Sequence, residues 1–423
     1  MKNNKKYCFI YKALILVTLG SLNLEALDNA HFYRATRFFA EPRFEKPGLI
    51  SFDIEAGGGR TSTGFNKYGQ KVNVLNIYGP YNMHQLGVHV PLKDAAHPLD
   101  QIIQDLTQLP ATGNEGTLSF DGTFSTIELN ATYTHNLNHG LFIQAHVPIR
   151  KLQLEPLCMT DLTPQEGSFN KNTPEWVAFL NSFEQILSRY TLSQKPLNGT
   201  HAGDVSIMLG WALNYQDTRV LDFVDVTLKG GVLVPTGKAK NQHELFSLPY
   251  GYNKHWGIPL SADAAIGCYE WLSIGAHLEV LPFFKRSYDL RMKTAMRQSG
   301  LIKLAHGCAT VDAGTLWISG TYIKADHLCR RLSLLTGYSY AHKNADHIVP
   351  ADPSIFDSFV VNSDPELQSW RMHTIHIFIE YDFTKENHVC GPRLGFFANI
   401  PVSGKRIFKS SLENVSFGLE IAL

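Results

Sequence analysis

The chain has 423 residues, 38 Lys plus Arg against 38 Asp plus Glu, and a hydrophobic content of 44%. A formal net charge of zero lacks the basic footprint of a nucleic-acid binder, so no nucleic-acid partner is expected. The apolar content excludes a disordered polymer, and length alone does not fix the domain count, because β-barrels use more than about 200 residues as one unit.

Residues 1–26 read as a secretory signal peptide. Lys2, Lys5, Lys6 and Lys12 form a basic region, Ala13 to Leu22 an apolar stretch, and Ala26 or Ala30 a small-residue cleavage site. That apolar stretch is too short to cross roughly 30 Å of hydrocarbon as a helix. Residues 27–47 follow as a periplasmic segment or plug, and residues 48–423 hold the folded unit. Nowhere does an apolar run approach the roughly 18 residues that a membrane helix needs. Five cysteines lie beyond Cys8, an odd and sparse set that makes no disulfide framework.

The dominant signal is apolar–polar alternation. Ile50, Phe52, Ile54 and Ala56 oppose Ser51, Asp53 and Glu55. Ile127, Leu129, Ala131 and Tyr133 oppose Glu128, Asn130 and Thr132, and Leu141, Ile143, Ala145, Val147 and Ile149 oppose Gln144, His146 and Arg150. The pattern recurs over 205–215, 224–234, 260–267, 272–280, 374–383 and 393–400. It is weaker over 308–323, through Leu316, Ile318 and Tyr322, and over 330–342, through Leu332, Leu334, Tyr338 and Tyr340. Alternation also occurs in water-facing sandwiches, but here short polar turns alternate with long segments at 61–115, 155–201, 237–254, 286–307 and 343–370. Tight turns at one end and long loops at the other are the mark of a transmembrane barrel.

The expected fold is therefore all-β: an antiparallel up-and-down transmembrane barrel of about 12 strands, within 10 to 14. Lys71 to Tyr78 and Gly116 to Thr123 are candidates for an extra hairpin. Tyr133, Phe142, Tyr215, Phe223, Tyr269, Trp271, Tyr322, Tyr381 and Phe383 sit beside the short turns, as an interfacial aromatic girdle would. Two long segments carry helical stripes. One holds Leu99, Ile102, Ile103, Leu106 and Leu109 after Pro98; the other holds Trp176, Phe179, Leu180, Phe183, Ile186, Leu187 and Tyr190, with Thr173 as N-cap and Pro174 at the first helical position. They either pack on the barrel rim or form a lid or plug.

The final strand places Val415, Phe417, Leu419, Ile421 and Leu423 on one face. It resembles the last strand of Gram-negative outer-membrane proteins, an assembly signal, although those chains usually end in an aromatic. Gly230-Gly231-Val232-Leu233-Val234-Pro235-Thr236-Gly237 resembles the strand-to-loop junction of porin-like and long-chain fatty-acid transporter-like outer-membrane proteins. The resemblance implies residence in the outer membrane, a barrel-assembly partner and traffic in small solutes.

With the alternating apolar face set to lipid, the residues that line the lumen are Asp53, Glu55, Glu128, Arg150, Asp225, Lys229, Asp263, Glu279, Glu380 and Arg393, with Glu420 on the last strand. The acidic excess points either to mild cation preference or to a closed interior whose charges pair.

Catalytic readings lack their parts. Tyr133 to Gly140 has a passing likeness to the outer-membrane phospholipase A family, but Leu137 stands where its nucleophilic Ser would be. The 18 His are scattered, with no spacing suited to a structural metal and no cofactor fingerprint. A non-catalytic channel or transporter for small solutes is expected. The alternatives are a surface-exposed adhesion or structural barrel with a closed lumen, and an exported soluble sandwich.

Overall fold

A computed structural model describes residues 48–111, 113–216, 221–269, 271–328, 331–384, 391–409 and 411–422. The signal-peptide reading, the segment before residue 48, and Cys8, Cys329, Cys390 and Leu423 lie outside the described residues.

Twelve long strands form the wall: β1 (Leu49–Thr61), β2 (Thr117–Asn136), β3 (Leu141–Asp161), β4 (Val205–Gln216), β5 (Phe223–Val234), β6 (Leu260–Tyr269), β7 (Leu272–Leu281), β8 (Leu316–Leu328), β9 (Leu332–Lys343), β10 (Trp370–Asp382), β11 (Pro392–Lys405) and β12 (Leu412–Ala422). Each pairs antiparallel with the next, and β1 pairs with β12 from Leu49↔Ala422 to Gly58↔Glu413, so the sheet closes into a barrel. Closure removes both free edges, the one way a sheet satisfies its backbone inside hydrocarbon. The five connections from β2–β3 to β10–β11 are short. Those after β1, β3, β5, β7 and β9 are long and gather at the opposite end.

The outward face is apolar. Ile127, Leu129, Leu209, Leu228, Leu260, Ile274, Leu278, Leu394, Val415 and Phe417 are all exposed large hydrophobics. Their alternate neighbours Glu128, Asn130, Ser206, Thr227, Ser261, Ser273, His277, Arg393 and Ser416 are buried. A water-soluble sandwich has the reverse arrangement, so this belt is a lipid-facing surface.

Three sequence expectations change. In β8 the register is inverted. Leu316, Ile318 and Tyr322 are buried, while Trp317 and Ile323 are exposed, because Ile318, Tyr322 and Ile323 put apolar residues on both faces and leave periodicity without a vote. The turn-flanking aromatics also divide. Tyr133, Tyr215, Trp271, Tyr381 and Phe383 are exposed, but Phe142 and Tyr322 are buried. Phe142 lies opposite Gly210, Phe223 opposite Gly267 and Tyr322 opposite Gly275. A Cβ on these glycines would stand 2.0 Å from Phe142 Cζ, 2.4 Å from Phe223 Cδ1 and 2.1 Å from Tyr322 Cζ. Each glycine is the slot that takes a neighbouring strand's ring into the barrel interior. Finally, no extra wall hairpin forms. Gly116 precedes the long β2, whose start covers 117–123, and Lys71–Asn73 joins Thr63–Phe65 and Ile407–Phe408 in a small separate sheet.

Replacing Leu209, 55% exposed near the middle of β4, with Arg is expected to cost about 2–4 kcal/mol in lipid vesicles, as for a cation at a bilayer midplane. Urea unfolding followed by heat-modifiable gel migration measures it. A change within about 0.5 kcal/mol, normal for a water-exposed position, would show that this face does not meet lipid.

Candidate functional site: barrel interior and capped cavity

The long connections fold into a cap with its own core. The outer ends of β2 and β3 carry Leu118, Phe120, Phe124, Leu152 and Leu154 into it. Two helices cover them, α1 (Pro98–Gln108) and α2 (Pro174–Arg189), each opening with Pro at its first turn and with His97 and Thr173 as N-caps. On α2, Trp176, Phe179, Phe183, Ile186 and Leu187 are buried, and Trp176 stacks on Phe179 at 5.4 Å. Both helical stripes therefore bury in the cap core.

Polar contacts tie the cap segments together. Arg189 Nε and Nη2 each donate to the Asp100 carboxylate at 2.8 Å, and Tyr190 Oη donates to it at 3.1 Å. These bonds, Arg189's above all, hold the buried Asp100 carboxyl at about 2. Arg291 spends its guanidinium on backbone carbonyls of three segments, at Tyr190 (2.8 Å), Gln242 (2.6 Å) and Leu304 (2.6 Å). Burial lowers its pKa to about 10.

Beneath the cap, the mouth of the barrel is ringed on the inside by Leu233, Leu281, Leu316, Ile318, Ala341 and Met372, with Phe65 and Ile407 above. The charged residues read as lumen lining share this interior at several heights: Glu279 pairs across the sheet with Ile318 of the ring, and Arg150 Nη1 donates to the Tyr250 carbonyl at 3.2 Å. Arg150 meets Glu128 at 3.4 Å, and Arg393 reaches Asp53 at 3.4 Å and Glu380 at 3.7 Å. Lys229 lies 3.5 Å from Asp263, which also binds His277 Nδ1 at 2.5 Å, and Glu279 lies 3.9 Å from His277. Asp225 accepts from Asn214 Nδ2. Glu55 is 3% exposed, Glu128 7%, Arg150 2%, Glu380 9% and Arg393 7%. The geometry thus brings Asp53, Glu128, Arg150, Lys229, Asp263, Glu279, Glu380 and Arg393 together as three clusters of opposite charge. Alternation sets His277 and His376 on the same polar faces, outside the charged set; His376 bonds Ser339 Oγ at 2.6 Å and Asn399 Oδ1 at 2.5 Å. The side chain of Glu420 is not among those described.

The Gly230–Gly237 octet ends at a carboxylate clamp. Asp204, 5% exposed, accepts from Gly237 N at 2.8 Å and Tyr252 N at 2.5 Å, fastening the end of β5 to the following loop.

Between cap and mouth lies a cavity of about 220 Å³. Leu75, Leu154, Leu245, Leu290, Met292 and Phe408 give it an apolar wall, and Tyr78, Asn253, His255, Tyr288, Lys303 and Glu366 a polar one. Lys303 is buried and binds both Asp364 and Glu366, while Lys240 binds Glu366 from the other side. These neighbours hold the Glu366 carboxyl well below its ordinary range despite burial. Sequence reading missed this site, because loop residues that converge from 78, 255, 288 and 366 share no period.

No protein-family model and no curated protein matches the chain. Among solved structures it is similar to an outer-membrane channel from Pseudomonas putida F1, at 10% identity over 90% of this chain and 100% of that one, with a TM-score of 0.50. The fold is that of an outer-membrane β-barrel. Weaker likenesses are to the monoaromatic hydrocarbon channel CymD, at 7% identity, 89% of each chain and a TM-score of 0.33, and to the P. putida toluene transporter TodX, at 10% identity over 95% and 96% and a TM-score of 0.31.

Two outcomes follow from the ion pairs. Arg393→Met leaves Asp53 and Glu380 buried without their cation and is expected to cost about 3–5 kcal/mol, recovered largely when Asp53→Asn and Glu380→Gln are added; urea unfolding of the refolded barrel reads both. Asp100 has its pKa depressed from 3.8 to about 2, so its stabilisation of the cap is complete above about pH 4 and is lost as pH falls through 2. Hydrogen exchange over 174–189 is expected to speed up across that window, and the acid-induced change should be smaller in Asp100→Asn.

Proposed function

We propose that the chain is a non-catalytic outer-membrane channel that takes up small, mainly apolar solutes through the cavity beneath its cap. The observation that carries this reading is the cavity of about 220 Å³ between the cap and the apolar ring of the barrel mouth. An apolar protein cavity of about 150 Å³ suffices for benzene, so this one has room for a single substituted ring or a short hydrocarbon. Apolar walls with a few convergent polar groups are the usual make-up of a ligand site. The architecture shared with the P. putida F1 channel supports a channel protein of the outer membrane.

The paired interior argues against cation selection, because carboxylates already facing Arg150, Arg393 and Lys229 present little net field to a passing ion. We read the ten inward residues as lumen lining that seals more than it conducts. We also infer export through residues 1–26 and insertion by the barrel-assembly machinery, which would read the alternating last strand. A closed adhesion or structural barrel is the second reading, favoured by the same buried interior.

Uptake of radiolabelled toluene by cells producing the chain, compared with cells lacking it, separates the two. Leu245, 3% exposed in the cavity wall, when replaced by Trp is expected to cut uptake at least about fivefold while the protein still inserts and shows heat-modifiable migration. Uptake equal to that of the control cells would leave the adhesion reading in place.

A further inference from the structure

The polar wall of the cavity has a definite hydrogen-bonding character. Its charged residues are Lys240, Lys303, Lys343 and Arg291 against Glu244, Asp346, Asp364 and Glu366. The three lysines are engaged by Glu366, Asp364 and Asp346, and Arg291 is spent on carbonyls. An incoming carboxylate would have to displace one of these acids from its cation, so the wall offers little to an anion.

Three neutral groups stand differently. Tyr288 Oη accepts from Asn253 Nδ2 at 2.8 Å, which leaves its own proton to give. Tyr78 lines the same cavity, and its hydroxyl has no hydrogen-bond partner among the described residues. His255 Nδ1 lies 2.9 Å from the Phe284 carbonyl. A carbonyl only accepts, so Nδ1 carries the proton and Nε2 is left with a lone pair. His255 and Tyr288 adjoin edge to face, their ring centroids 6.0 Å apart, and so supply one acceptor and one donor on the same wall. Burial keeps all three groups uncharged: it pushes the Tyr288 phenol up to about 12, raises that of Tyr78 further with help from Glu366, and lowers the His255 imidazole.

We propose that the cap cavity selects neutral one-ring compounds that carry a hydroxyl group, the hydroxyl accepting from Tyr288 or Tyr78 and donating to His255 Nε2. This rests on the cavity being the solute site. A phenol satisfies both sides of the wall, a bare hydrocarbon leaves donor and acceptor unmet, and an ether meets only the donor.

The test is calorimetric binding of toluene, p-cresol, 4-methylanisole and p-toluate to the full folded chain held in amphipol. Wild type is expected to bind p-cresol roughly three- to tenfold more tightly than toluene, the gain of one neutral hydrogen bond or slightly more, with 4-methylanisole between them and p-toluate weakest. Tyr288→Phe, and independently Tyr78→Phe, should shrink the preference, read as the ratio of toluene Kd to p-cresol Kd on the same variant, toward one. Equal binding of p-cresol and toluene, or a preference untouched in both variants, overturns hydroxyl recognition and leaves the apolar cavity as a solute site. Tightest binding of p-toluate overturns selection for neutral compounds. Failure of all four to bind overturns the cavity as a solute site altogether.

Discussion

Within hydrocarbon no water is present to satisfy a peptide N–H or C=O, and each one left open costs several kcal/mol. A sheet that crosses a membrane must therefore close, and in this chain the closing seam is the register of β1 with β12. Closure then fixes the side chains. With a period of two, one face of each strand goes to lipid and the other to a confined interior, where twelve strands leave only a narrow space. Polar residues sent inward have to find partners there, and Arg150, Lys229 and Arg393 each face carboxylates.

The cap obeys different physics. It is built like a small water-soluble domain, with apolar faces from α1, α2 and the outer ends of β2 and β3 packed into one core. What it adds is a set of buried polar anchors, Asp100 with Arg189 and Lys303 with Asp364 and Glu366. Such pairs add little net stability but tie segments distant in sequence into one geometry. The cavity is the place where the two constructions meet: barrel-mouth residues such as Trp370 supply one side and cap residues such as Leu290 the other.

The barrel was legible because a membrane strand writes its environment on every second residue. Ile127 to Tyr133 and Leu141 to Ile149 show this plainly, and their outward residues are those the structure exposes. β8 was misread where Ile318, Tyr322 and Ile323 made both faces apolar, and the inward rings of Phe142 and Tyr322 were misplaced because a girdle and a glycine slot use the same residue types. The glycines opposite them were the missing signal: Gly210, Gly267 and Gly275 each stand one strand away from a ring. Alternation sets the charged residues on one strand face, but their partners depend on strand stagger. Cap helices announced themselves through Pro98 and Pro174, whereas the cavity wall draws single residues from separate loops and could emerge only from three-dimensional packing.

The slotted aromatic rings have a bearing on how the wall keeps its alignment. A ring seated over a glycine in the adjacent strand locks those two strands against sliding, since a slip of one residue would drive Phe142, Phe223 or Tyr322 toward lipid and leave an empty notch behind. Three such locks lie near the turn end, away from the cap. The wall thus keeps its register at the end of the barrel opposite the polar anchors that order the cap, so the two are fastened independently.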